Sequence, residues 1–145
     1  MMYFVDRKKI EETLRFFEEQ YDLMRSHQTW SSPLEKKALE RIVHLLVECI
    51  LDTGNDMIDG FIMRDPGSYD DIMDILVDEK VVPTEEGTHL KKLVSCRKTL
   101  VQQYQEVVHH DLLQVISEVE QALQVFPNRI RTYLEQELGP VSAFK

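Results

Sequence analysis

Residues 32–61 read SPLEKKALERIVHLLVECILDTGNDMIDGF, and how this stretch folds decides the architecture. Ser32-Pro33-Leu34-Glu35 has the form of a capping box with proline at the first helical position. The serine oxygen can accept from the glutamate N–H while the glutamate carboxylate reaches back to the serine N–H. Behind it Leu39, Ile42, Val43, Leu46, Cys49 and Ile50 recur at three- and four-residue steps, the period of one helix face. The pattern continues towards Phe61 in spite of Gly54 and Gly60, each of which costs up to about 1 kcal/mol inside a helix. The reading is a long second helix.

Working outward, Asp6 to about His27 carries Ile10, Leu14, Phe17, Tyr21 and Met24 at helical spacing, a first amphipathic helix. Asp65-Pro66-Gly67 ends the second helix, and Ser68 with Asp71 can cap a short third one through Ile72, Ile75 and Leu76. After a break at Val81–Thr84, a fourth helix is expected from Glu85 to Val107. His109-His110-Asp111 reads as a turn and cap before a fifth helix with Leu113, Ile116, Val119, Leu123 and Phe126 on one face. Pro127 should kink or break that helix, and Gly139-Pro140 should stop it. No strand-like alternation, internal repeat or flexible linker interrupts the series. The expected fold is all-α, a five-helix up-and-down bundle forming a single domain over residues 1–145.

Composition narrows the function. The chain has 145 residues, with 26 acidic against 17 basic side chains and a net charge of −9. That balance opposes generic binding of nucleic acid or of an anionic membrane through the whole surface, so any RNA-binding face must be local, and no DNA partner is expected. Cys49 and Cys96 fall in helical apolar contexts that suit reduced thiols. No charged segment followed by an apolar run opens the chain, and no stretch approaches the roughly 20 apolar residues of a membrane span. The expectation is a cytoplasmic protein without membrane association. Tyr3, Phe4, Trp30, Phe61, Val141 and Phe144 fall at element ends or tails, where a monomer would leave several exposed, which points to a homodimer with a self-complementary interface.

The residues that bear on chemistry lie at 97–104, Arg-Lys-Thr-Leu-Val-Gln-Gln-Tyr. Leu90, Leu93, Val94, Leu100, Val101, Tyr104 and Val108 form an apolar stripe, and Arg97 falls within it. A permanently charged guanidinium there needs a carboxylate of the fold or an external phosphate as partner. On a continuous helix, where successive residues advance by about 100°, Arg97 and Tyr104 lie on one side and can share a pocket, which Gln102 could join only at its edge or across an interface where a second copy closes the cleft.

The segment resembles the signature of the HepT branch of the HEPN superfamily: an arginine, four residues, a histidine, one residue and a tyrosine, often with asparagine directly after the arginine. Arg97 and Tyr104 match the arginine and tyrosine. Gln102 stands where the histidine belongs, and Lys98 where asparagine is common. The five-helix order, the long second helix and the Gly-Pro ending are similar too, so the resemblance covers nearly the whole chain. It implies a homodimeric HEPN-like bundle whose two motif helices line a shared cleft, a toxin-type endoribonuclease that needs neither metal nor cofactor. By that resemblance Arg97, Gln102 and Tyr104 are the catalytic positions. The family partner is a minimal nucleotidyltransferase antitoxin able to adenylylate the motif tyrosine, here Tyr104. Lys98, with Lys91, Lys92 and Arg97, forms the densest basic cluster of the chain and is the candidate for contacting the RNA backbone.

The departure at Gln102 bears on catalysis, because strand cleavage without a metal needs a base for the ribose 2′-hydroxyl and glutamine cannot serve as one. Weak or absent ribonuclease activity is therefore expected, the alternative being a non-catalytic helical dimer acting as a scaffold for a protein partner. Glu48, Asp52, Asn55 and Asp59 share a stripe of the second helix, and an ion pair of Arg97 with Glu48 or Asp52 is more plausible than a metal site there. His44 lies beside apolar neighbours and reads as a core-edge histidine, with a catalytic role in place of position 102 as the sharper reading. Gly67-Ser68 followed by Asp70, Asp71 and Asp74 superficially has the order of a nucleotidyltransferase motif, yet those enzymes hold their metal-binding aspartates on strands, whereas here no strand is readable and capping accounts for Ser68.

Overall fold

The computed structural model describes residues 3–140. Among them the chain forms helices and no strand: α1 Arg7–Ser26, α2 Pro33–Gly60, α3 Tyr69–Asp78, α4 Thr84–Val94, α5 Arg97–Val101 and α6 His109–Leu138. All but α5 are ten residues or longer, which gives the expected five-helix bundle. No described helix is long and apolar enough to cross a membrane.

The starts of the first three helices are written in their capping residues. Asp6 Oδ1 accepts from the Lys9 N–H at 3.0 Å, and Ser68 Oγ accepts from the Asp71 N–H at 3.1 Å. At α2 the box is closed in both directions, Glu35 N–H to Ser32 Oγ at 3.1 Å and Ser32 N–H to Glu35 Oε1 at 3.0 Å. Each such cap satisfies donors that would otherwise be orphaned and contributes about 1 kcal/mol.

The ends of α2 and α3 share one device. Ile62 and Lys80 adopt φ of 58° and 62°, while the Met63 N–H reaches Ile58 O at 2.9 Å and the Val81 N–H reaches Leu76 O at 2.8 Å. These are Schellman-type closures with a left-handed residue that is glycine in most proteins.

The core runs the length of the bundle. Ile10, Leu14 and Phe17 of α1 pack with Leu39, Val43, Leu46 and Ile50 of α2, and α6 closes the layer with Val119, Leu123, Phe126 and Ile130. The Phe17 and Phe126 rings lie 5.5 Å apart. Gly54, a cost to helix propensity, is required by packing: a Cβ there would stand 2.4 Å from Ile72 Cγ2 where α2 meets α3.

Four expectations need correction. The fourth helix does not extend from Glu85 to Val107: α4 ends at Val94, α5 follows for one short run, and Tyr104–Glu106 is a 3-10 turn. Pro127 does not break the last helix. Its ring is buried inside an unbroken α6, beside the buried Phe126 and Ile130, and that apolar burial offsets the lost backbone hydrogen bond. His109 and His110 are the first residues of α6, behind Val108, instead of a turn. Of the aromatic residues expected to be exposed, Phe61 is buried between Tyr3 and Tyr133, at 4.9 and 5.1 Å, and Trp30 packs against the core. Phe4 alone of the four is largely exposed, at 71%; Val141 and Phe144 lie outside the described residues.

Candidate functional site

The break before Arg97 is local. Ser95 Oγ donates to Lys92 O at 2.6 Å, so a side chain competes for a helix carbonyl, and the Cys96 N–H closes on Leu93 O at 3.0 Å in the tighter three-residue pattern. The helix resumes for Arg97–Val101 and then stops at Gln102-Gln103, where no apolar side chain anchors a further turn to the core. Neither α5 nor the 3-10 turn holds a fully buried residue.

Arg97 opens α5 beside α2. Its Nε donates to Glu48 Oε1 at 2.6 Å, and its guanidinium lies over the Tyr69 ring, 4.7 Å from the centroid. The side chain is 23% exposed. The hydrogen bond that Arg97 donates to Glu48 holds the arginine pKa above its usual value against partial desolvation. A charge-assisted bond and a cation–π contact together fix one cation at a half-buried position. Of the two carboxylates offered by the sequence, Glu48 takes the arginine. Asp52 instead is pushed up by desolvation and by the nearby charges of Glu48 and Asp56.

The other motif residues lie elsewhere. Gln102 and Tyr104 both line a shallow hollow formed by residues 102–106, and Tyr104 is 60% exposed. Because the chain turns at Gln103, with φ −113° and ψ 41°, the shared helix side expected for Arg97 and Tyr104 does not form within one chain. Lys98 is exposed on α5. Among the described residues no three of His, Cys, Asp or Glu group as metal ligands. Cys49 and Cys96 are free thiols, both raised above the usual pKa by burial, Cys49 to about 11.

A polar line along α2 continues from Glu48. The His44 Nε2 lies 3.4 Å from the same Glu48 Oε1 that binds Arg97, and Arg41 Nη1 lies 3.3 Å from His44 Nδ1. One turn earlier Glu40 Oε2 meets His109 Nε2 of α6 at 2.7 Å. Glu40, His44 and Glu48 are spaced by fours, a signal present in the sequence that extends the acidic stripe of Glu48, Asp52, Asn55 and Asp59 towards the start of α2. Tyr69 left no such signal, since its stacking depends on how α3 docks.

The family model described as "Ribonuclease HepT-like" matches residues 10–130. A Bacillus subtilis (strain 168) protein described as "Putative RNase YutE" is 67% identical over 144 residues, covering 99% of this chain and 100% of its own length. A solved structure described as the cytosolic protein of unknown function YutE from Bacillus subtilis superposes with a TM-score of 0.95, at 67% identity over 98% of this chain and 99% of the other. A crystal structure described as a toxin–antitoxin with AMP-PNP has the same fold, with a TM-score of 0.66 at 17% identity over 85% of this chain and 92% of that one.

Proposed function

We propose, from the premise that this chain belongs to the ribonuclease HepT-like family, that it is a slow, toxin-type endoribonuclease whose cation is Arg97. Residues 1–145 act as one domain, and two copies close the cleft in which RNA is cut. The observation that carries the reading is the anchoring of Arg97. Glu48 engages its Nε, so the Nη edge of the planar fork is left to meet a phosphate, and Tyr69 keeps the guanidinium from swinging into solvent.

The reaction follows from RNA chemistry. A base removes the proton of a ribose 2′-hydroxyl, the oxygen bonds to the adjacent phosphorus, and the bond from phosphorus to the 5′-oxygen breaks. The products are a 2′,3′-cyclic phosphate and a 5′-hydroxyl that takes up a proton. Negative charge grows on the non-bridging oxygens, where a fixed arginine stabilises it best. DNA lacks the nucleophile and is not cut. Gln102 has no useful basicity, and loss of a general base commonly lowers rates by about 10² to 10⁴, which makes the motif alone a slow catalyst.

Since Tyr104 lies beyond the end of the short helix that Arg97 opens, a second copy brings Tyr104 and Gln102 to the cleft that holds Arg97. Lys98 contacts the RNA backbone. The exposure of Tyr104 suits modification by a nucleotidyltransferase antitoxin, whose added nucleotide would block the cleft by charge and bulk. The toxin–antitoxin description of one structural neighbour points the same way.

The test is cleavage of single-stranded RNA by the purified chain and two variants, with the DNA of the same sequence as control. Slow cleavage is expected, abolished in Arg97→Ala and accelerated about 10²-fold or more in Gln102→His. Fast cleavage by the unaltered chain, or cleavage indifferent to Arg97→Ala, would overturn the proposal.

A further inference from the structure

A second proton acceptor is present on α2. We infer that His44 is the general base that sustains the slow cleavage left to this chain without a motif histidine, oriented by Glu48, the carboxylate that also holds Arg97. The inference rests on the ribonuclease reading above and names the group that performs its proton transfer.

Five histidines are available, and geometry separates them. His27 is bonded to Glu35 at the loop before α2, at 2.5 Å. His89 lies on α4 and His110 is exposed on α6, and among the described residues no hydrogen bond or ion pair joins either to Arg97 or Glu48. His109 is 14% exposed, with Nε2 on Glu40 and Nδ1 buried without a partner, so neither nitrogen faces a substrate. His44 is 26% exposed and shares Glu48 Oε1 with Arg97.

The neighbours of His44 also fix its tautomer. Arginine has donors and no acceptor, so Arg41 Nη1 at 3.3 Å from Nδ1 requires a lone pair on Nδ1. The ring proton of neutral His44 is then on Nε2, the nitrogen 3.4 Å from the Glu48 carboxylate. This is the arrangement of an oriented imidazole base: a carboxylate behind, a lone pair in front. The N–H of exposed Arg41 occupies the place where a ribose 2′-hydroxyl would donate, and when RNA enters Arg41 is released to a phosphate. The charged groups around the imidazole are Arg41 and Glu48 on its own helix, Arg97 from α5 with Tyr69 of α3 stacked on it, and the Glu40–His109 pair joining α6 one turn away.

In the reaction Nδ1 takes the 2′-hydroxyl proton as that oxygen bonds to phosphorus. The imidazolium, its charge facing Glu48, returns a proton to the departing 5′-oxygen directly or through water. Glu48 is the positioning residue for both His44 and Arg97, and its single oxygen sets the base and the cation on one site.

The experiment measures RNA cleavage and its pH profile for the full chain, His44→Ala, His44→Gln, Arg97→Ala and, as control, His110→Ala. A fall of about 10² to 10⁴ is expected in both His44 variants, with restoration of His44→Ala by added imidazole, loss of the acid limb of the profile in His44→Gln, and no change in His110→Ala. Cleavage by His44→Ala equal to that of the full chain, while Arg97→Ala is dead, would overturn His44 as base and leave the ribonuclease reading intact. A folded His44→Ala that imidazole does not restore would likewise overturn it, assigning the residue to packing. Absence of cleavage by the unaltered chain would overturn the ribonuclease reading and this inference with it.

Discussion

Arg97 is the half-buried cation on which the candidate site turns. Its place in an apolar stripe demanded a partner, the spacing of acids on α2 offered two, and the Nε to Glu48 bond of 2.6 Å takes one of them. Tyr69 and the turn at Gln103 were not legible, because one depends on helix docking and the other on the absence of apolar anchors in a segment of good helix formers. Two capping carboxylates support a prediction at the same scale. Glu35, bonded to the Ser32 backbone and to His27, and Asp71, bonded to Arg64 and Gly67, are each held down to a pKa of about 2. Unfolded carboxylates titrate near pH 4, so between about pH 4 and 2 the unfolded chain binds more protons, and the stability these groups supply above that window is lost as pH falls through it. Thermal melting at stepped pH should show a flatter acid dependence in Glu35→Gln and Asp71→Asn. Curves parallel to those of the unaltered chain would remove these carboxylates as the cause.

The helices themselves were read well where a start was coded by a side chain, as at Asp6, Ser32 and Ser68, and less well where an end was set by the backbone. Ser95 bonding back to Lys92 splits the fourth helix without a Gly or Pro to announce it, while Pro127, which announces a break, is absorbed into α6 because its ring is buried in the core. The left-handed residue closing α2 is the clearest remaining local conflict: a β-branched side chain at φ 58°, exposed at the surface. That conformation costs a non-glycine residue about 1 to 2 kcal/mol, and asparagine tolerates it better. Ile62→Asn should therefore stabilise the chain by about 1 kcal/mol, a rise of a few degrees in Tm. A lower Tm would show that Ile62 is held by contacts with another molecule.

For the whole molecule, the bundle architecture was legible because helical period, capping and the lack of strand patterning all agreed. Of the described aromatic residues at element ends, Phe61 is buried and Tyr3 and Trp30 pack against the core, yet Phe4, Phe16, Leu23, Leu34, Tyr104, Val108 and Leu113 remain exposed. Equilibrium ultracentrifugation is expected to give twice the 17.1 kDa of one chain, and the mass of a single chain would remove the shared cleft. The segment that bears Arg97, Gln102 and Tyr104 contributes no fully buried side chain to the bundle. Drift can therefore rewrite that segment without selection for folding resisting it, and a lineage can lose a motif histidine, or recruit another from α2, while inheriting the same scaffold undamaged.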